Sequence, residues 1–215
     1  MTDVKDTRRE RSARTRRRII AAATELFLAD GYGATTLQQV ADRAGVAVQT
    51  IYFVFRNKAA LLRELVDVAI AGDDRPLATM DRPWFGEVVH AADARTGLTA
   101  LVAGSRAVLE RVAAVDEMVR TATAAHPELR ELWPQDEDPR YTVHATAAEA
   151  LLGKPGIRPG LSAGEAADVL YALLSPELFL VLTRDRAWTP DAWERWADGT
   201  LAAQLLAPPP PTRRA

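Results

Sequence analysis

Residues 35–52 limit the possible fold more than any other part of the chain. They read Thr35-Thr36-Leu37-Gln38-Gln39-Val40-Ala41-Asp42-Arg43-Ala44-Gly45-Val46-Ala47-Val48-Gln49-Thr50-Ile51-Tyr52. Leu37, Val40, Ala41 and Ala44 recur at i, i+3, i+4 and i+7, the spacing of one helix face. Thr36 stands just ahead with Gln39 three residues later, the capping-box pattern that satisfies the first free amides of a helix. Gly45 then ends the helix, because glycine takes the left-handed C′ geometry cheaply. A second helix begins near Val48 with Ile51 and Phe55 inward, leaving Val48, Gln49, Thr50, Tyr52 and Phe53 largely outside. Asn57 reads as the N-cap of a further helix from Lys58. Two short helices joined by a tight turn make a helix-turn-helix.

That shape fits a DNA major groove, and its outward residues suit the task. Gln49 can read adenine with two hydrogen bonds, and Thr50 offers a hydroxyl or a methyl group. Tyr52 and Lys58 suit phosphate, as does Thr36 at a helix N-terminus. Charge is distributed accordingly. Residues 1–63 hold 12 Lys/Arg against 6 Asp/Glu, a net of +6; the other 152 hold 15 against 23, a net of −8. Arg8, Arg9, Arg11, Arg14, Arg16, Arg17 and Arg18 crowd the N-terminus, where a basic arm would follow the phosphate backbone, with Arg14 and Arg17 as its expected contacts.

Residues 15–62 resemble the DNA-binding domain of the TetR family of bacterial transcriptional regulators. The resemblance rests on Arg18-Ile19, Ala22-Ala23, Leu26-Phe27, Gly31-Tyr32, Thr35-Thr36, Val40-Ala41, Ala44-Gly45-Val46, Thr50-Ile51-Tyr52, Phe55, Asn57-Lys58 and Leu61. It implies that Val48–Phe53 is the recognition helix and that Tyr52, Lys58 and Thr36 touch phosphate. The chain departs from the family pattern at Val54, where His or another polar or aromatic residue is frequent.

Strand signals are nearly absent, and Ala and Leu recur at helical spacing, so the expected fold is all-α. The reading divides the chain into a disordered basic arm (1–12), a three-helix helix-turn-helix domain (13–62), a helical ligand-binding and dimerisation domain (63–207) and a Pro-rich tail (208–215). The first helix is expected over Ala13–Ala29 and another over Lys58 to about Gly72. Asp73 to Pro83 reads as a connection, and a long helix follows over Gly97–Ala124. A helix from Pro127 is interrupted by Pro134-Gln135-Asp136-Glu137-Asp138-Pro139 and resumes over Arg140–Leu152. Lys154–Leu161, with two Pro and two Gly, is a loop. Ser162 and Glu165 open a helix to about Arg184 that bends at Pro176. Thr189, Pro190 and Asp191 open the last one.

The two final helices, around 162–184 and 189–206, are apolar nearly all round: Leu170, Leu173, Leu174, Leu178, Phe179, Leu180, Val181 and Leu182 leave little polar face. Such a helix is buried on more than one side, inside its own domain or against a second copy. The TetR resemblance implies the latter, a homodimer through these helices. Two-fold symmetry would match a palindromic operator in double-stranded DNA.

Between these regions lie Trp84, Phe85, His90, His126, Trp133, Tyr141, His144 and Tyr171. Trp84, Phe85, His126, Trp133, Tyr141, His144 and Tyr171 form the candidate ligand-binding set, for an apolar or aromatic small molecule. The resemblance implies that such an inducer changes the separation of the recognition helices.

Enzymatic signatures are missing: there is no Gly-rich phosphate loop, no G-x-S-x-G and no H-E-x-x-H. With no Cys and three scattered His, the expectation is no catalytic residue, no metal and no cofactor. No run of about 18 uncharged apolar residues and no signal peptide stand out, which points to the cytoplasm and away from a membrane. The sequence therefore predicts a ligand-released repressor. The alternative is a ligand-independent architectural DNA-binding protein, for which the large acidic second region has no use.

Overall fold

The computed structural model describes residues 3–72, 78–133, 136 and 138–208, with side chains from residue 10 onward. The helices are α1 (Asp3–Asp30), α2 (Leu37–Ala44), α3 (Val48–Phe55), α4 (Lys58–Ala71), α5 (Pro83–His90), α6 (Ala94–Ala125), α7 (Pro139–Leu152), α8 (Ala163–Leu173), α9 (Pro176–Leu180) and α10 (Pro190–Leu205). Short 3₁₀ segments cover Thr79–Asp81 and Pro127–Leu132, and a π-helical turn covers Val181–Asp185. The only β pairing among the described residues is an isolated antiparallel bridge between Ile157 and Leu206. The all-helical expectation holds.

Most starts and stops follow the local signals. Thr36 and Gln39 form the complete reciprocal box at α2, and Gly45 takes φ 63 at its C-terminus. Asn57 Oδ1 accepts the Ala60 amide at 2.7 Å, capping α4. Ser162 caps α8 through the Glu165 amide, and Thr189 caps α10 with Pro190 in its first turn. The bend expected at Pro176 is a full break. α8 ends at Leu173, Ser175 caps the next helix, and Pro176 sits in its first turn, where no amide is needed.

The structure differs from the sequence reading at three places. α1 starts at Asp3, where the sequence reading placed a disordered arm up to residue 12; residues 3–16 contain no Gly or Pro and are rich in Arg, a good helix former. α5 was not foreseen. It is short, and Arg82 gives it no side-chain cap. Its far end is tied down by Lys154, whose Nζ donates to the Val89 and Ala91 carbonyls at 2.7 and 2.8 Å. The segment after Pro127 is 3₁₀ helix. Of the proposed interruptions and tail, residues 73–77, 134, 135, 137 and 209–215 lie outside the described residues.

The chain packs as two compact units, Met1–Ile70 with Ala114–Gln135, and Ala71–Ala113 with Asp136–Ala215. The first has a core of Ile19, Ala23 and Phe27 from α1, Val40 and Ala41 from α2, Ile51 and Phe55 from α3, and Leu61 and Leu65 from α4. Val115, Met118 and Ala122 of α6 and Leu129 belong to it too, so packing does not follow a single cut at residue 62. The second unit is built on Leu98, Leu101 and Val102 of α6, Ala147 and Leu151 of α7, Leu170 of α8, Phe179 of α9, and Trp193 and Leu201 of α10. The stretch Ala163–Asp185 is long and apolar enough to cross a bilayer, with mean hydropathy 1.6 over its best window. Its break at Leu174 and Ser175 and its buried Leu170 and Phe179 are features of a packed core element.

Candidate nucleic-acid interface

α3 owes its placement to two anchors. Ile51 and Phe55, four residues apart on one face, are buried in the first core. The opposite face then points outward: Gln49 is exposed, Tyr52 is 53% exposed and Phe53 90% exposed. Val48 and Thr50 are half-buried, and Val48 packs against the core, so it is less available than its sequence position suggested. Thr36 is exposed at the α2 N-terminus, its hydroxyl engaged with Gln39.

The basic residues of α1 divide by role. Arg18 Nη2 donates to the Ala44 and Gly45 carbonyls, closing the C-terminal end of α2. This contact pins the turn onto α1. A Cβ on Gly45 would lie 2.9 Å from the same guanidinium nitrogen, so a side chain there would have to displace Arg18 as well as adopt a φ that favours glycine. Arg16 pairs with Glu64 of α4, and Arg43 pairs with Glu25 of α1. Arg11, Arg14 and Arg17 are exposed on α1. The sequence reading chose Arg14 and Arg17 as contacts from a run of seven arginines. It had no means of seeing that Arg16 and Arg18 serve the fold.

Lys58 Nζ lies 4.2 Å from the centroid of the Tyr32 ring and 5.8 Å from that of Phe27. Partial burial pulls its pKa below the ordinary lysine value. Tyr32 in turn packs edge-on against Phe27 and His126, at 5.3 and 5.7 Å between centroids. Burial and then the nearby Glu128 carboxylate push the Tyr32 phenol upward. Arg56 follows α3 at φ 68, ψ −50, with Asn57 N donating to Phe55 O at 2.8 Å across it. This tight, strained turn sets the angle between α3 and α4.

The seven candidate ligand residues do not gather into one cluster. His126 and Trp133 belong to the first unit, the other five to the second. Trp84 stacks edge-on with Phe85 and presses on Gly104 of α6. Tyr141, His144 and Tyr171 do come together: Tyr171 lies 5.6 Å from Tyr141 and 6.1 Å from His144, ring to ring. Polar groups hold this trio. Tyr171 Oη donates to Asp138 Oδ2 at 2.6 Å, Tyr141 Oη donates to Asp168 Oδ1 at 3.1 Å, and the Arg140 guanidinium covers the Tyr171 ring at 3.5 Å. His144 is only 5% exposed, and its Nδ1 has no hydrogen-bond partner. Burial, and then the neighbouring Arg140 charge, bring its pKa down to about 4, against the opposing pull of Asp138. Asp138, Arg140 and Asp168 were not singled out from sequence; only their neighbours in space mark them. Among the described residues, no group of three or more His, Cys, Asp or Glu is arranged to hold a metal ion.

Comparison with known proteins bears on both units. The family described as "Bacterial regulatory proteins, tetR family" matches residues 19–65, the segment that runs from the α1 anchor through α4. The chain is similar to the HTH-type transcriptional regulator SrpR of Pseudomonas putida, 36% identical over 87 residues, covering 37% of this chain and 39% of that protein. To the HTH-type transcriptional regulator TtgR of P. putida it is 42% identical over 59 residues, covering 27% and 28%. The chain therefore spans well under half of either relative. Solved structures extend the likeness in fold. A transcriptional regulator from Saccharomonospora viridis, solved in complex with choline, superposes with a TM-score of 0.68 at 24% identity, over 90% of this chain and 98% of that one. FadR from Bacillus subtilis, in complex with stearoyl-CoA, gives 0.67 at 20% identity, over 86% and 96%. Residues 19–65 thus carry the helix-turn-helix domain of the tetR family of bacterial regulatory proteins, within a helical architecture that solved transcriptional regulators share.

Proposed function

We propose that the protein is a sequence-specific DNA-binding transcriptional regulator, a homodimeric repressor released from a palindromic operator by a small apolar or aromatic ligand. The observation that carries this reading is α3: its apolar face is anchored by Ile51 and Phe55 while Gln49, Tyr52 and Phe53 stand free to meet bases and phosphates. Exposed Arg14 and Arg17 on α1 add the sequence-independent attraction. Dimerisation through α8–α10 is supported by Val181, 45% exposed, with half-buried Leu178, Leu182, Trp188 and Trp196 nearby in sequence and fold. Ligand response is supported by the company of the fold, since the S. viridis and B. subtilis proteins were solved with choline and stearoyl-CoA. In this chain the trio Tyr141, His144 and Tyr171 offers aromatic walls and an open imidazole nitrogen. The protein acts in the cytoplasm, where its operator lies.

Selection of bound sequences from random duplex DNA at physiological salt tests the reading. A palindromic motif is the expected result. Binding with no enriched motif would replace the repressor with an architectural protein. Sedimentation at micromolar concentration tests the dimer, and a monomer there would overturn it.

A further inference from the structure

The chemistry of α3 restricts which bases it can read. The helix is Val48-Gln49-Thr50-Ile51-Tyr52-Phe53-Val54-Phe55, and it carries no Arg, Lys, His, Asn, Asp or Glu. Guanine is read best by the two donors of Arg or by Lys, and cytosine by a carboxylate. The first cation after the helix is Arg56, in the turn beyond its C-terminus. Gln49 and Phe53 are four residues apart and share a face, with Tyr52 beside them. Phe53 is the most exposed large apolar side chain among the described residues, at 90%, although the first core lies directly behind the helix. A ring held outward there meets whatever α3 meets. The one apolar group that base edges present in the major groove is the 5-methyl of thymine.

We propose that Phe53 is a specificity-determining residue that packs on thymine methyl groups, so that the half-site is read at A·T pairs: adenine by the Gln49 amide and thymine by the Phe53 ring. The inference rests on the DNA-binding reading above. It separates two jobs on one face, a directional amide and a non-directional ring, and makes methyl burial a main source of discrimination.

Deoxyuridine isolates the methyl, since it pairs as thymine does and lacks only that group. The duplex recovered by selection is remade with deoxyuridine at each thymine of a half-site in turn, and affinities are measured at constant salt for the full-length wild type and Phe53→Ala. At one or two positions the wild type should lose about fourfold for each methyl removed, the value expected for one buried carbon. Phe53→Ala, whose side chain is almost wholly outside the fold, should bind the thymine duplex more weakly and show no difference between thymine and deoxyuridine. Equal wild-type affinity for both duplexes overturns the assignment, as does discrimination that survives in Phe53→Ala. A wild type that binds no duplex at all overturns the DNA-binding reading along with it, so the two failures are distinct.

Discussion

The Lys58 ammonium stands 4.2 Å from the centre of the Tyr32 ring, and that ring packs in turn against His126. The lysine expected to touch phosphate is thus held by an aromatic face of its own unit. An aliphatic neighbour would leave the half-buried ammonium without its electrostatic partner. Lys58→Ala should weaken binding to all DNA sequences alike and lower the salt slope of log affinity by about one. Tyr32→Leu should weaken binding less and keep the slope, because the charge remains while its position loosens. Affinity titrations across salt concentrations check this; an equal loss of slope in both variants would mean that Tyr32 itself meets the backbone.

Arg14 and Arg18 lie four residues apart on α1 and should respond differently to truncation. Arg18→Ala removes the donor that closes the end of α2, so it should lower unfolding stability by about 1–2 kcal/mol, the cost of leaving carbonyls without a charged donor. Gly45→Ala should cost a similar amount, since φ 63 disfavours a side chain and the new Cβ crowds Arg18. Arg14→Ala, on an exposed site, should leave stability within about 0.5 kcal/mol of wild type and weaken DNA binding. Urea unfolding beside DNA titration separates the classes. Unchanged stability in Arg18→Ala would show that its carbonyl contacts contribute little.

Gly104 lies inside α6, where alanine ordinarily favours the helix by about 1 kcal/mol. Here the sign should reverse. A Cβ at residue 104 would fall 2.1 Å from Trp84 Cε3, so the indole must leave its seat on α6. Gly104→Ala should destabilise by about 1–3 kcal/mol, the range for overpacking, and should shift Trp84 fluorescence toward a wetter environment. A rise in melting temperature would show that α5 yields freely.

Local chemistry carried the legible part of the fold. Thr36 with Gln39, Gly45, Asn57 and Thr189 with Pro190 each act within a few residues, so their helix ends could be read one at a time. Ile51 and Phe55 then fixed which face of α3 looks outward. What stayed hidden depends on partners far along the chain. Arg18 and Ala44 are 26 residues apart, and Tyr171 and Asp138 are 33 apart. No periodicity announces such pairs. The aromatic set between Trp84 and Tyr171 divides along lines just as hidden in the sequence. His126 and Trp133 belong to the unit that holds α2 and α3, whereas Tyr141, His144 and Tyr171 pack ring against ring in the other.

Burial within that trio makes stability depend on pH through His144. In the fold its pKa is brought down to about 4 from an ordinary 6.5, chiefly by burial and then by Arg140. The unfolded chain therefore binds a proton that the folded chain refuses, and each unit of pH below 6.5 favours unfolding. Stability from this group is fully present above pH 6.5 and is lost as pH falls toward 4, by about 3 kcal/mol in all at 1.4 kcal/mol per unit. His144→Leu keeps the volume, removes the proton site and leaves no orphaned nitrogen. Its unfolding free energy should fall less steeply than that of wild type between pH 6.5 and 4, with carboxylates elsewhere titrating alike in both proteins. Parallel curves from urea unfolding at several pH values would mean that His144 takes up its proton inside the fold, through water or through rotation toward Asp138. A ligand that donates a hydrogen bond to Nδ1 should then deepen the wild-type dependence, because it binds only the neutral ring.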